Sequence, residues 1–216
     1  MRMFKGLLRS TAAQKALAAA SGLFLAGWLL LHLLGNFTAV SGAAAMDGYA
    51  AGLRRLGPLL WLVRIGLIAA VITHVTATMS LARRARAARP VRAQGDRPRG
   101  TLASRTMIVG GPLLVAFIVY HVLHMTVGVV HPTFTAGHVY ANLVAGVAPP
   151  LIAAVYLAGA ALVGLHLHHG LSSALVSLGA PRVLKNAPRL LSRTVAVVVA
   201  VGFAAIPLAI VARVLR

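Results

Sequence analysis

Five stretches of this chain are each long and apolar enough to cross a lipid bilayer, and this limits the fold more than any other feature. A hydrocarbon core of about 30 Å takes roughly 20 apolar residues wound as a helix. Inside it every backbone polar group must find a partner within its own element, which an α-helix provides. The runs lie at about 16–40, 58–82, 106–130, 146–171 and 194–212. Polar or Gly/Pro-rich joints separate them, such as 83–105 with its eight Arg and 179–193 with Pro181 and Pro188. Hydrophobic residues make up 59% of the chain and charged residues only 11%, against about 25% charged in soluble domains. Those figures exclude a water-soluble globule, and they equally exclude a disordered chain. No solenoid-period repeat and no separate soluble domain is visible. The predicted fold is an all-α membrane protein, one transmembrane domain over residues 1–216. The first run has basic residues ahead of it and a small-residue stretch, Ala43-Ala44-Ala45, behind it. It exceeds the 7–15 apolar residues of a signal-peptide core, so it is expected to be a retained helix.

Charge sets the expected orientation. The chain carries 21 Lys and Arg against 2 acidic residues, a formal net charge of +19. Sixteen of the basic residues fall on one side: Arg2, Lys5, Arg9 and Lys15 in the N-terminal tail, Arg83, Arg84, Arg86, Arg89, Arg92, Arg97, Arg99 and Arg105 in the second joint of that side, and Arg182, Lys185, Arg189 and Arg193 in the third. Five fall on the other: Arg54, Arg55, Arg64, Arg213 and Arg216. The positive-inside rule then predicts a cytoplasmic N-terminus and an outer C-terminus in a multi-pass protein of the cytoplasmic (inner) membrane. The basic charge reads as a topology signal, and no nucleic-acid partner is expected.

Histidine is the informative residue type. The chain has no Cys, which removes disulfides, thiolate-ligated clusters and Cys nucleophiles. Of nine His, seven fall in the apolar runs: His32 in the first, His74 in the second, His121 and His124 in the third, and His166, His168 and His169 in the fourth. At 1.5 Å rise per residue, His32 and His121 lie roughly 24 and 23 Å from the inner edge, and His74 and His166 roughly 12 and 8 Å. Four histidines on four helices thus form two layers, one outer and one inner, each with two imidazoles from different helices. Two stacked bis-histidine haems require this arrangement, and double axial ligation favours electron transfer over oxygen chemistry. A proton relay would more often carry Asp or Glu within a span, but the only acids, Asp47 and Asp96, lie in joints. A zinc site would cluster its ligands tetrahedrally instead of spreading them over two depths. Gly27, Gly35, Gly66, Gly110, Gly111, Gly128, Gly159, Gly164 and Gly170 could leave gaps for a flat macrocycle, or could simply allow close helix packing.

The runs Leu31-His32-Leu33-Leu34-Gly35-Asn36, Thr73-His74-Val75, Tyr120-His121-Val122-Leu123-His124 and His166-Leu167-His168-His169-Gly170-Leu171 resemble the five-helix, two-haem cytochrome b subunit of succinate:quinone oxidoreductases and quinol:fumarate reductases. The resemblance covers nearly the whole chain. It implies that the first four helices form a haem-binding bundle, with His32 and His121 on the outer haem b and His74 and His166 on the inner one, the same pairing that depth predicts. It favours His121 over His124 because the family's ligand follows an aromatic, here Tyr120. It favours His166 because the family's ligand precedes a Gly by four, here Gly170. His168 lies about 200° round the helix from His166 and cannot share its iron, whereas His124 and His169 share faces with the chosen ligands and stay open as alternatives. The chain departs from some members in having Gly164 where they carry a Glu two residues before the fourth ligand. It also lacks a family Glu near the outer quinone site, where Asp47 is the nearest carboxylate.

The resemblance further implies a membrane-anchor subunit of succinate dehydrogenase, with a flavoprotein subunit and an iron–sulfur subunit on the cytoplasmic face. The dicarboxylate site would lie on a partner, and electrons would pass through this chain to a quinone, with menaquinone the expected type. Arg64, Arg105 and Arg193 are candidates to meet haem propionates, with snorkelling to the interface as the plain alternative. Asp47, Tyr49 and His138, with His131 and Tyr140, are quinone candidates on the outer joints. Trp28 and Trp61 read as packing or interfacial-belt residues. Two other readings fit the sequence: the haem-b subunit of a formate dehydrogenase or hydrogenase, and a haem-free small membrane transporter.

Overall fold

The computed structural model describes residues 10–88, 102–179 and 186–216, with the side chains of 102–106 and 108 outside that set. Every regular element among the described residues is helical. Helix α1 (Thr11–Phe37) opens where the Ser10 hydroxyl accepts the Ala13 N–H at 3.1 Å. This side-chain cap satisfies one of the first-turn donors. It lies ahead of the expected start because the helix includes a polar first turn that an apolar window does not register. A 3-10 turn (Thr38–Ser41) leads through Gly42, at φ 91°, into the short α2 (Ala43–Arg55). Helix α3 (Pro58–Ala87) begins with proline in its first turn, where the missing N–H costs nothing. Helix α4 (Leu102–Val122) widens into a π-helical turn, Leu123–Val127, and stops at left-handed Gly128. The short α5 (Val139–Val147), then α6 (Pro150–Ser177) and α7 (Ala187–Val211), complete the chain.

Among the described residues five helices are long and apolar enough to cross a membrane: α1, α3, α4 with its π turn, α6 and α7. The fourth starts later than expected, at Pro150 instead of near Gly146. Pro149 precedes a proline and is held extended at ψ 129°, as that position favours. Gly146 and Val147 therefore belong to α5.

Helices α6 and α7 make the most extensive interface, and α1 packs on both. Small residues let the backbones approach: a Cβ at Gly164 would lie 2.7 Å from Ala200 Cβ, and one at Gly202 would lie 2.9 Å from Leu33 Cδ2. Ala26, Leu33, Leu167, Ala196 and Val199 form the buried centre of this three-helix core. Helix α7 is a member of this core although it carries no histidine. A second buried cluster, with Ala39, Met46, Leu143, Val147, Ile206 and Ile210, joins the 3-10 turn, α2, α5 and the end of α7. These elements cap one end of the bundle. Helices α3 and α4 are outer walls: α3 packs on α1, and α4 on α6. Leu59, Leu62, Ile65, Ile68 and Ile72 of α3 are all exposed, as suits a face turned to lipid.

Candidate functional site

The chain folds so that four histidines from four helices meet as two pairs. His32 on α1 faces His121 on α4, ring centroids 5.8 Å apart, with the rings crossed at 78°. His74 on α3 faces His166 on α6 at 6.0 Å and 71°. All four rings are half-buried. Among the described residues neither α1 and α4 nor α3 and α6 form a packed interface. Each pair therefore bridges a gap between helices that do not otherwise pack.

The spacing bears on what such a pair can hold. Metal–imidazole bonds of about 2 Å on each side, with ring centres about 1 Å farther back, put two imidazole centroids roughly 6 Å apart across one metal. Both pairs have that separation. Among the described residues no three His, Asp or Glu come together to hold a metal ion. Each pair offers two imidazole donors from different helices, a set that suits a metal whose other positions are filled by a macrocycle. Two buried ring nitrogens, His121 Nδ1 and His166 Nδ1, and the Tyr120 hydroxyl have no hydrogen-bond partner among the described residues.

The surroundings tune each pair. The His74 Nδ1–H donates to the Ala18 carbonyl at 3.0 Å, with Ser21 Oγ at 3.4 Å. A carbonyl only accepts, so the proton sits on Nδ1 and the lone pair on Nε2, the tautomer a metal requires. Helices α1 and α3 come close here because residue 22 is glycine: a Cβ on Gly22 would lie 2.9 Å from His74 Cε1. An open apolar cleft lies on the α4–α6 side of His166, lined by Met107, Gly110, Leu113, Leu162 and Leu165. At the other pair, Trp28 stacks on His32 at 6.5 Å and Phe117 on His121 at 6.1 Å, one helical turn before each histidine. Phe203 and Tyr156 close the sides, at 5.7 Å from His32 and 5.8 Å from His121. Asn36 Nδ2 donates to the His32 carbonyl at 2.8 Å and lies 3.3 Å from Nε2. This second, long contact is the one interaction a metal on that nitrogen would displace.

The two pairs stand at different heights. On α1, Gly22 beside His74 is ten residues before His32; on α6, Tyr156 beside His121 is ten before His166. Both helices therefore put the pairs about 15 Å apart along the bundle.

Other singled-out residues have different surroundings. His124 is buried, hydrogen-bonded through Nδ1 to Tyr156 Oη at 2.9 Å, and stacked on His131 at 4.9 Å. The His131 Nε2–H donates to the Asn142 carbonyl at 2.8 Å, and its Nδ1 accepts the Thr133 N–H at 3.0 Å. His169 lies beside His168, centroids 4.6 Å apart, at the uncapped end. Arg64 is exposed, with its guanidinium over Trp61 at 4.9 Å. Ten residues before His74 on α3, it stands level with the His32 pair. Arg193 is exposed on α7, and the side chain of Arg105 lies outside the described residues. Asp47 Oδ1 accepts the Tyr140 N–H at 2.9 Å in the first turn of α5. Tyr49 lies over Gly35, where a Cβ would meet its ring at 2.7 Å. His138 is exposed at the start of α5. Of the glycines, Gly27, Gly66 and Gly111 have open space beside them, while Gly35 and Gly159 are filled by Tyr49 and Phe117.

Sequence reasoning missed Phe117, Tyr156 and Phe203, and it gave Trp28 only a packing role. For Trp28 and Phe117 a signal was present: an aromatic four residues before a histidine shares its helical face. Comparison with protein-family models, with curated proteins and with solved structures found no match to this chain.

Proposed function

We propose that this chain is the membrane-anchor cytochrome b subunit of a succinate:quinone oxidoreductase or quinol:fumarate reductase, carrying electrons between an iron–sulfur partner subunit and a membrane quinone, menaquinone in our reading. The observation that carries the proposal is the two histidine pairs, at 5.8 and 6.0 Å, each spanning helices that do not otherwise pack. A haem b would be held at each pair, one by His32 and His121 and the other by His74 and His166, and would supply a one-electron carrier.

The remaining residues have supporting work. The Ala18 carbonyl fixes the His74 tautomer and ring orientation. Trp28, Phe117 and Phe203 keep the His32–His121 pair in apolar surroundings, which limits solvent access and so sets the dielectric around it. Arg64 and Arg193 are the cations within the described residues assigned to propionates, and Arg105 completes that set. Asp47, Tyr49 and His138 stand at the capped end, beyond His32, and are assigned to the quinone. The end opposite α2 and α5, with Arg83, Arg84, Arg86, Arg189 and Arg193, faces the cytoplasm and the iron–sulfur and flavoprotein partners.

The test is quantitative haem analysis of the purified protein. A reduced-minus-oxidised spectrum should show a b-type band, and a pyridine haemochrome assay should return two haems per chain. Absence of haem sinks the proposal. Haem without co-purifying succinate dehydrogenase activity moves the chain to another electron-transfer complex.

A further inference from the structure

The uncapped end of the bundle holds an open cleft of about 460 Å³ between the later turns of α6 and the first turns of α7. It lies within the size range of small-ligand sites. His168, His169, Ser172, Arg189, Leu190 and Arg193 line it. The frame is firmly built. Ser192, with no exposed surface, donates its hydroxyl to the Leu167 carbonyl at 3.0 Å and shares it with the His168 carbonyl. That bond pins the start of α7 against α6. Arg189 and Arg193, one turn apart, then share one face beside the two imidazoles.

Its chemistry is one-sided. Two arginines and two histidines line it, and the only carboxylate side chain among the described residues, Asp47, is at the capped end and engaged by the Tyr140 N–H. Depth narrows the choice of ligand. No charged residue occurs from Thr194 to Ala212, so Arg189 and Arg193 mark the level at which the apolar run of α7 begins. Leu190, Leu191, Val197 and Val198 beside them are exposed. A basic pocket between spanning helices at headgroup depth, with apolar surface running on from it, matches a phosphodiester with its acyl chains.

We infer that this cleft binds the phosphate of an anionic phospholipid, held by Arg189, Arg193 and the His168–His169 pair. The inference does not need haem to be present, but it takes Arg193 away from the propionate role assigned above and gives it to the lipid phosphate.

The test uses the full chain, delipidated in detergent and titrated separately with phosphatidylglycerol, phosphatidylcholine and inorganic phosphate, with retained ligand counted by native mass spectrometry. Phosphatidylglycerol should be retained about tenfold more tightly than phosphatidylcholine. The double variant Arg189→Gln/Arg193→Gln should lose that preference, and Arg54→Gln/Arg55→Gln at the other end should keep it. Equal retention of the two lipids by the unaltered protein overturns the inference, whether or not the double variant folds. So does inorganic phosphate binding as tightly as the lipid, which would make this a free-anion site. Loss of haem with lipid retention unchanged in the double variant also overturns it, since the cations would then serve a haem carboxylate.

Discussion

A histidine within a lipid-embedded helix is stable only when its ring nitrogens are occupied, and the partners here divide the histidines by role. Both nitrogens of His131 are bonded to backbone groups, and His124 is bonded to Tyr156 and stacked on His131. We assign these two to packing. His74 has one nitrogen bonded and its other side toward His166. His74→Ala or His166→Ala should therefore reduce haem to one per chain with loss of the inner haem, and His32→Ala or His121→Ala should do the same for the outer. His124→Gln should leave two. Haemochrome assays on the purified variants check this set. A second prediction concerns Gly146. An added methyl would lie 2.5 Å from His131 Nε2 and 3.1 Å from His124 Cε1, and both rings are held by hydrogen bonds. Gly146→Ala should cost about 1–3 kcal/mol, read as a lowered unfolding midpoint in detergent, with haem stoichiometry unchanged.

At the scale of elements, the capped end depends on contacts between segments distant in the chain. Asp47 of α2 accepts a backbone N–H in the first turn of α5, 93 residues away. Removing such a side-chain acceptor at a helix N-terminus costs about 0.5–2 kcal/mol. Asp47→Ala should thus speed hydrogen exchange at the α5 amides while leaving those of α6 and α7 unchanged. The apolar runs and the two-level offset of the histidines were legible in the sequence because they depend on length, hydropathy and helical rise alone. Helices α2 and α5 were not, because neither is long or apolar enough to stand out from a joint. The start of α6 was misplaced because hydropathy continues smoothly through Pro149-Pro150, where backbone geometry does not. Tyr156 and Phe203 were invisible for another reason: they reach the histidines across helices, and no spacing within one helix encodes that.

For the whole molecule, the central fact is the contrast between a tight core of α1, α6 and α7 and walls attached on one side each. Each gap between a wall and the core is crossed by one histidine pair. Protein produced in cells unable to make haem should therefore be less stable, and α3 and α4 should be cut by protease sooner than α6 and α7. Limited proteolysis of haem-replete and haem-depleted protein, with fragments identified by mass, measures this. Equal cleavage patterns would show that the gaps need no filling.

The same one-sided attachment has a consequence for biosynthesis. The chain leaves the ribosome from its N-terminus, so α3 finds its neighbour α1 already in the bilayer. The neighbour of α4 is α6, which is made after it. The third span must therefore wait in lipid without its companion until the fourth arrives.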